Sequence, residues 1–217
     1  MENEKRNFDT EAANWDQEPR RVKLAKDLFA AIAATVPLNP SMEALDFGCG
    51  TGLVTLPLAA RTGRVTGVDS SRGMLGVLEN KARQQGVANI AVHYSDAGCD
   101  DIPDASCDLV VTTMALHHLR DIPPLLAQFF RILREGGHVC IADLDVEGGL
   151  FHENNDGVFH LGFNREDFRK MLMEAGFVNI AYRTAATMDK PDANGQPRAF
   201  TVFLIAGRRQ AVCMGKG

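Results

Sequence analysis

Aromatic residues are scarce in this sequence, at 7% with a single tryptophan, and so is positive charge, with 23 Lys and Arg against 28 Asp and Glu. A formal net charge of −5 offers no global field for polyanions, so nucleic acid is not an expected partner. Long hydrophobic runs are missing as well. None reaches the roughly 18 residues needed to span a bilayer, and no membrane contact is expected. The opening stretch, Met1-Glu-Asn-Glu-Lys-Arg, has no apolar signal core behind it. Five cysteines (Cys49, Cys99, Cys107, Cys140 and Cys213) are odd in number and form no CxxC pair. That excludes a disulfide framework and the usual zinc spacings, and a reducing cytoplasm is the expected compartment. His152-Glu-Asn-Asn-Asp156 departs from HExxH, and neither a GxSxG elbow nor a phosphate-binding P-loop occurs. Hydrolase and NTPase chemistry therefore have no motif, and no metal site is expected.

What remains is ordinary globular composition, 45% apolar and 24% charged, sufficient for one domain over 1–217. Apolar residues recur at helical spacing from Arg20 to Val36 (Val22, Ala25, Phe29, Ile32), and Pro37 and Pro40 stop that helix. Ala44-Leu-Asp-Phe reads as a buried strand running into Gly48-Cys-Gly-Thr-Gly52. Further strands are read at 65–69, 90–95, 108–112 and 138–144. Helices lie between them, one capped by Ser70 or Ser71, another opening at Asp121 and ending at Gly136-Gly137. Pro57, about five residues into the segment after the glycines, predicts a short or kinked helix. Asn164 caps a later helix that stops at Gly176, and two last strands at about 177–186 and 199–206 flank a turn-rich loop. Alternating strands and helices imply an α/β, doubly wound, mostly parallel sheet, closed by an antiparallel C-terminal hairpin.

In such a sheet, ligands bind at the carboxyl ends of the strands where the strand order reverses. Asp46-Phe-Gly-Cys-Gly-Thr-Gly52 stands at the first such end, and Asp69 ends the second strand, 21 residues after Gly48. Glycines let backbone approach a ligand closely, and an acid at the second strand end can accept from two ribose hydroxyls. The combination points to a nucleoside cofactor. A dinucleotide fingerprint, GxGxxG, would need its third glycine at Leu53. A nicotinamide-dependent oxidoreductase is therefore a weaker alternative, and a non-catalytic cofactor-binding regulator is another.

Four motifs carry a family resemblance: Ala44-Leu-Asp-Phe-Gly-Cys-Gly-Thr-Gly52, Val65-Thr-Gly-Val-Asp-Ser-Ser71, Tyr94-Ser-Asp-Ala97 and Leu133-Arg-Glu-Gly-Gly-His-Val139. Together they resemble the class I S-adenosylmethionine-dependent methyltransferases, most nearly the branch acting on small molecules, over roughly residues 42 to 145. The resemblance implies a seven-stranded, Rossmann-like methyltransferase sheet, S-adenosylmethionine as methyl donor and S-adenosylhomocysteine as product. It implies that Asp46 and the backbone of Gly48, Gly50 and Gly52 hold the amino-acid end of the cofactor. Asp69 would take the ribose, Ser70 and Met74 would border the adenine, Asp96 and Ala97 would bind its edge, and Thr113 and Met114 would close over the methionine part. On this reading the domain divides into an N-terminal arm and helix (1–36, a possible lid), a cofactor-binding core (42–145), acceptor-side loops, helix and last strands (146–207), and a tail (208–217).

Methyl transfer from a sulfonium is an in-line displacement, so alignment and exclusion of water matter most. Phe8 and Trp15 make the N-terminal arm a candidate lid. Relatives that methylate base or amide nitrogens carry an acidic or Asn residue, two prolines and an aromatic after the fourth strand. This chain has Thr112-Thr-Met-Ala115 there, which points to a small-molecule acceptor. His117 and His118 follow at once and are the candidate general bases. His152, His160 and Arg198, in later loops, are candidates for the wall of the acceptor pocket.

Overall fold

The computed structural model describes residues 7–96 and 98–210. The chain enters through a 3₁₀ turn, Ala12–Gln17, and then forms α1 (Pro19–Thr35), β1 (Glu43–Phe47), α2 (Thr55–Ala59), β2 (Arg64–Asp69), α3 (Arg72–Gln84) and β3 (Ile90–Tyr94). There follow β4 (Cys107–Thr113), a 3₁₀ turn Leu116–His118, α4 (Pro123–Ile132), β5 (Leu133–Leu144), α5 (Arg165–Glu174), β6 (Phe177–Pro191) and β7 (Pro197–Arg209). The strands make one seven-stranded sheet in the order β3-β2-β1-β4-β5-β7-β6. β1 to β5 run parallel, and β7 is antiparallel to both of its neighbours, β5 and β6. The strand order reverses between β1 and β4, so the crevice at their carboxyl ends is where a ligand belongs.

Period-two alternation divides the core between two helical layers. Leu45 and Phe47 of β1, Val139 and Ile141 of β5, and Phe203 and Ile205 of β7 face α4 and α5. Ala44, Cys140, Ala142, Leu144, Val202 and Leu204 point the other way, into Leu24, Leu28, Ala31 and Ile32 of α1 and Leu58 of α2. On α4 the stripe Leu125, Leu126, Phe129 and Ile132 is buried, and α3 seals the β2–β3 end with Leu75 and Leu78 against Cys49. Among the described residues no helix is long and apolar enough to cross a membrane.

Several boundaries differ from the sequence expectation. Asp121 does not open α4; Ile122 stands at its N-cap and the two prolines fill its first turn. Nor do Gly136 and Gly137 end that helix, because β5 already begins at Leu133, which pairs with Cys107 of β4. The register shifts between Cys107 and Leu109, and Gly136 at φ +76° absorbs the irregularity. The final hairpin is longer than expected. Pairing continues to Pro191 opposite Pro197, leaving a short turn in which the Asp192 carboxylate accepts from the amides of Asn194 and Gln196. β7 runs through Arg209, so residues 208 and 209 are strand rather than tail. α2 is a five-residue helix with Pro57 third, inside its first turn where the missing N–H costs nothing.

Candidate functional site

A cleft of about 540 Å³ opens at the carboxyl ends of the central strands. Its floor is the glycine turn that follows β1. Gly48 sits at φ +68°, and a Cβ there would meet the Cβ of Ala115 at 2.4 Å, so the turn and the start of the β4 exit approach too closely for any other residue. Gly52, at φ +83°, would likewise press a Cβ into Leu78 at 2.3 Å. The amides of Gly48 and Cys49 both donate to the carbonyl of Val68 (2.8 and 3.0 Å), which docks this turn onto β2.

Two carboxylates flank the turn. Asp69 Oδ2 accepts from the Gly50 amide and its Oδ1 from the Ser71 amide, each at 2.8 Å. Asp46 lies behind the turn and is only 1% exposed. Its Oδ2 accepts from Thr55 Oγ1 at 2.7 Å, while Oδ1 has no hydrogen-bond partner among the described residues. Burial pushes the Asp46 carboxyl up to about 7; the Thr55 bond opposes this and nearby Asp69 adds to it.

On the β4 side, Thr113 and Met114 border the cleft. Met114 takes φ 54°, a left-handed conformation, and its amide donates to Ala142 at 2.8 Å. Strain of this kind costs of order 1–3 kcal/mol and clusters at functional sites. The 3₁₀ turn that follows carries His117 and His118 into the cleft wall. The Nδ1 of His117 lies 2.6 Å from Asp143 Oδ1, and both residues are buried. Asp143 also accepts from the amides of Leu116 and Leu144, at 3.0 and 2.7 Å. Burial works to raise the Asp143 carboxyl, but His117 and the amide bonds prevail and hold it below its ordinary value. His118 Nδ1 lies 2.8 Å from the Gly157 carbonyl, which fixes the N–H on that nitrogen.

The N-terminal segment roofs the cleft. Phe8 meets Trp15 edge-on with ring centroids 5.9 Å apart and His118 at 5.1 Å, and the Arg21 guanidinium lies 3.7 Å over the Trp15 ring. Two carboxylates tie this segment to the ligand loops. Asp9 Oδ1 accepts from Ser71 Oγ (2.6 Å) and the Gly73 amide (2.8 Å), bonds that hold its carboxyl below the ordinary value. Asp16 accepts from Thr51 Oγ1 and from Lys81 Nζ, both at 2.6 Å.

Of the residues singled out from the sequence, Gly48, Gly50, Asp69, Ser70, Met74, Asp96, Thr113, Met114, His117, His118, His152, Phe8 and Trp15 line this one cleft. Asp46 and Gly52 stand behind it. Ala97 lies outside the described residues. His160 and Arg198 do not reach the cleft: His160 packs beside Phe163 at 5.0 Å, and Arg198 lies over Phe200 on the hairpin, opposite Lys190. Other residues of the cleft escaped the sequence reading. Arg20 and Arg21 border it, as do Phe151 and Lys190. Lys190 Nζ donates to the Phe151 carbonyl, and burial lowers its ammonium below the ordinary value. Asp143 was unmarked, because nothing local distinguishes it from any strand-end acid.

Residues 44–137 match the model of a family described as a methyltransferase domain. A demethylmenaquinone methyltransferase from Geobacillus sp. (strain WCH70) is 33% identical over 171 residues, covering 65% of this chain and 73% of that protein. A 27-O-demethylrifamycin SV methyltransferase from Amycolatopsis mediterranei is 29% identical over 174 residues, covering 75% of this chain and 64% of its own. Among the curated relatives it matches, the chain spans 57%, 37% and 64% of the length in three cases. The solved phosphoethanolamine N-methyltransferase 2 of Haemonchus contortus, in complex with S-adenosyl-L-methionine, shares the fold with a TM-score of 0.71 at 19% identity, covering 86% of this chain and 53% of that one.

Proposed function

The chain belongs to the class I S-adenosylmethionine-dependent methyltransferases, and from that premise we propose that it moves a methyl group from S-adenosylmethionine to a small-molecule acceptor by in-line displacement. The observation that carries the cofactor assignment is the Asp69 carboxylate. The Gly50 and Ser71 amides hold it at the edge of the cleft, at the second strand end, where a carboxylate can accept from the hydroxyls of a ribose. Asp46 Oδ1, buried and unpartnered among the described residues, suits a cationic donor such as an amino-acid ammonium reaching through the glycine turn. Gly50, with open space where a Cβ would stand, leaves its surroundings clear for the same group. Met74, Ser70 and Asp96 border the end of the cleft assigned to adenine.

The bound cofactor supplies a methyl group already activated on a sulfonium. The chain's task is to align the acceptor and keep the site dry. Phe8, Trp15 and the Arg21 guanidinium stacked on Trp15 cover the opening, and this supports reading the N-terminal segment as the cover that excludes water. His117 and His118 are assigned to the acceptor side. Asp143 holds the proton on His117 Nδ1, which leaves Nε2 the basic nitrogen available to take an acceptor's proton. The rifamycin and demethylmenaquinone relatives are named for small-molecule acceptors, and the acidic balance of this chain argues in the same direction.

Calorimetric titration with S-adenosylhomocysteine tests the assignment, with NAD as comparator. S-adenosylhomocysteine alone should bind, and Asp69→Ala should weaken it by about 10-fold or more, the loss of a charged acceptor worth about 1.5–3 kcal/mol. Unchanged affinity in that variant, or binding of NAD alone, would remove the reading.

A further inference from the structure

His117, His118 and His152 converge in the cleft wall. One ring nitrogen from each lies within 4.8 Å of the other two, and the ring centroids are 4.2, 5.2 and 5.4 Å apart. We propose that these three histidines form a site for a divalent transition-metal ion, with an open coordination position facing the acceptor part of the cleft.

The arrangement has the features such a site needs. A metal at the usual distance of about 2.0–2.1 Å from imidazole nitrogen places tetrahedral ligands about 3.4 Å apart, so a small swing of the loop-borne His152 completes the geometry. Ligand imidazoles characteristically donate their other ring N–H to a carboxylate or a carbonyl, which fixes the tautomer and turns the lone pair toward the metal. His117 does this toward Asp143 at 2.6 Å, and His118 toward the Gly157 carbonyl at 2.8 Å. Asp143 is itself pinned by two amides, so the His117 ring is held at the correct pitch from behind. An all-imidazole set suits zinc, cobalt, nickel, copper or ferrous iron, and not magnesium or calcium, which require oxygen. Three protein ligands leave a fourth position open, as in catalytic zinc centres. Because His117, His118 and His152 all line the same cleft, that position is reached from it. An acceptor offering a hydroxyl, carboxylate or thiolate would occupy it, and in the metal-loaded protein the ion would take over from His117 Nε2, then a ligand, the task of favouring loss of the acceptor's proton.

The metal site stands without reference to methyl transfer; the acceptor class rests on that reading. Both are tested on the full chain, stripped with chelator. Cobalt(II) is titrated by visible absorption with zinc(II) as competitor, and S-adenosylhomocysteine by calorimetry in the same preparation. One equivalent of cobalt should bind with the intense visible bands of four- or five-coordinate ion, and zinc should bleach them. His152→Gln, a change on a loop rather than in the core, should weaken cobalt binding at least 10-fold. Asp143→Asn should weaken it 10- to 100-fold, with far-UV circular dichroism showing both variants folded. Absence of saturable one-equivalent binding overturns the site, and so does a cobalt spectrum that His152→Gln leaves unchanged. If S-adenosylhomocysteine still binds in that event, the methyltransferase reading stands alone; cobalt binding without S-adenosylhomocysteine keeps the site and removes that reading.

Discussion

Asp46 makes a prediction that can be worked from its surroundings. The carboxyl is 1% exposed, accepts a single hydrogen bond from Thr55, and is pushed from its ordinary 3.8 up to about 7, chiefly by burial. A folded-state value above the unfolded one means that the native state holds the proton between those two pH values while the unfolded chain has lost it. Stability therefore falls as pH rises through that window and levels off above about 7. The window is about three pH units wide at about 1.4 kcal/mol each, giving an upper limit of about 4 kcal/mol. Asn is neutral at every pH and similar in shape, so Asp46→Asn removes this dependence. Urea unfolding followed by the emission of Trp15, the only tryptophan, at pH 5, 6, 7 and 8 supplies the comparison. The variant should gain on the parent from pH 5 to about 7, by a few kcal/mol, and little more between pH 7 and 8. S-adenosylhomocysteine, with an ammonium opposite Oδ1, should shrink the difference by favouring the ionised carboxylate. Parallel stability curves for the two proteins would refute the argument, since they would mean that Asp46 ionises as easily folded as unfolded.

Other outcomes follow from individual contacts. Gly48→Ala should destabilise by at least the 1–2 kcal/mol of a left-handed alanine, because its Cβ also meets Ala115 at 2.4 Å. Thermal unfolding measures this, and an unchanged midpoint would contradict the close approach. Asp16→Ala removes the acceptor for Thr51 and Lys81. It should red-shift Trp15 emission and lower turnover while leaving far-UV circular dichroism unchanged; emission that does not move would show that Asp16 does not hold the roof in place. Lys190→Met keeps the apolar stem over Phe151 and Phe200 but removes the half-buried ammonium. Acceptor KM should change with S-adenosylhomocysteine affinity constant, and a change confined to that affinity would put Lys190 on the cofactor side instead.

The sequence by itself determined the layered sheet and the strand ends at which the glycine turn and its neighbouring acids gather. Strand patterning, the glycine turn with its neighbouring acids, and the Ser71 and Asn164 caps are local signals, and each is legible from a few consecutive residues. The resemblance built on those same segments pointed to the family. Local patterning was weakest where pairing sets the boundary. The extent of β6 and β7, and the start of β5 at Leu133 ahead of its glycines, follow from what neighbouring strands offer across the sheet. The contacts around the histidines and the N-terminal segment lay beyond the sequence for a related reason. Asp143 behind His117, His152 beside His118, and Asp16 against Thr51 and Lys81 join positions far apart in the chain. Their hydrogen-bonding partners exist only once β4, β5 and the segments packed on them are assembled. A strand's period survives in its own residues; the meeting of side chains from separate loops is decided by the packing that brings those loops together.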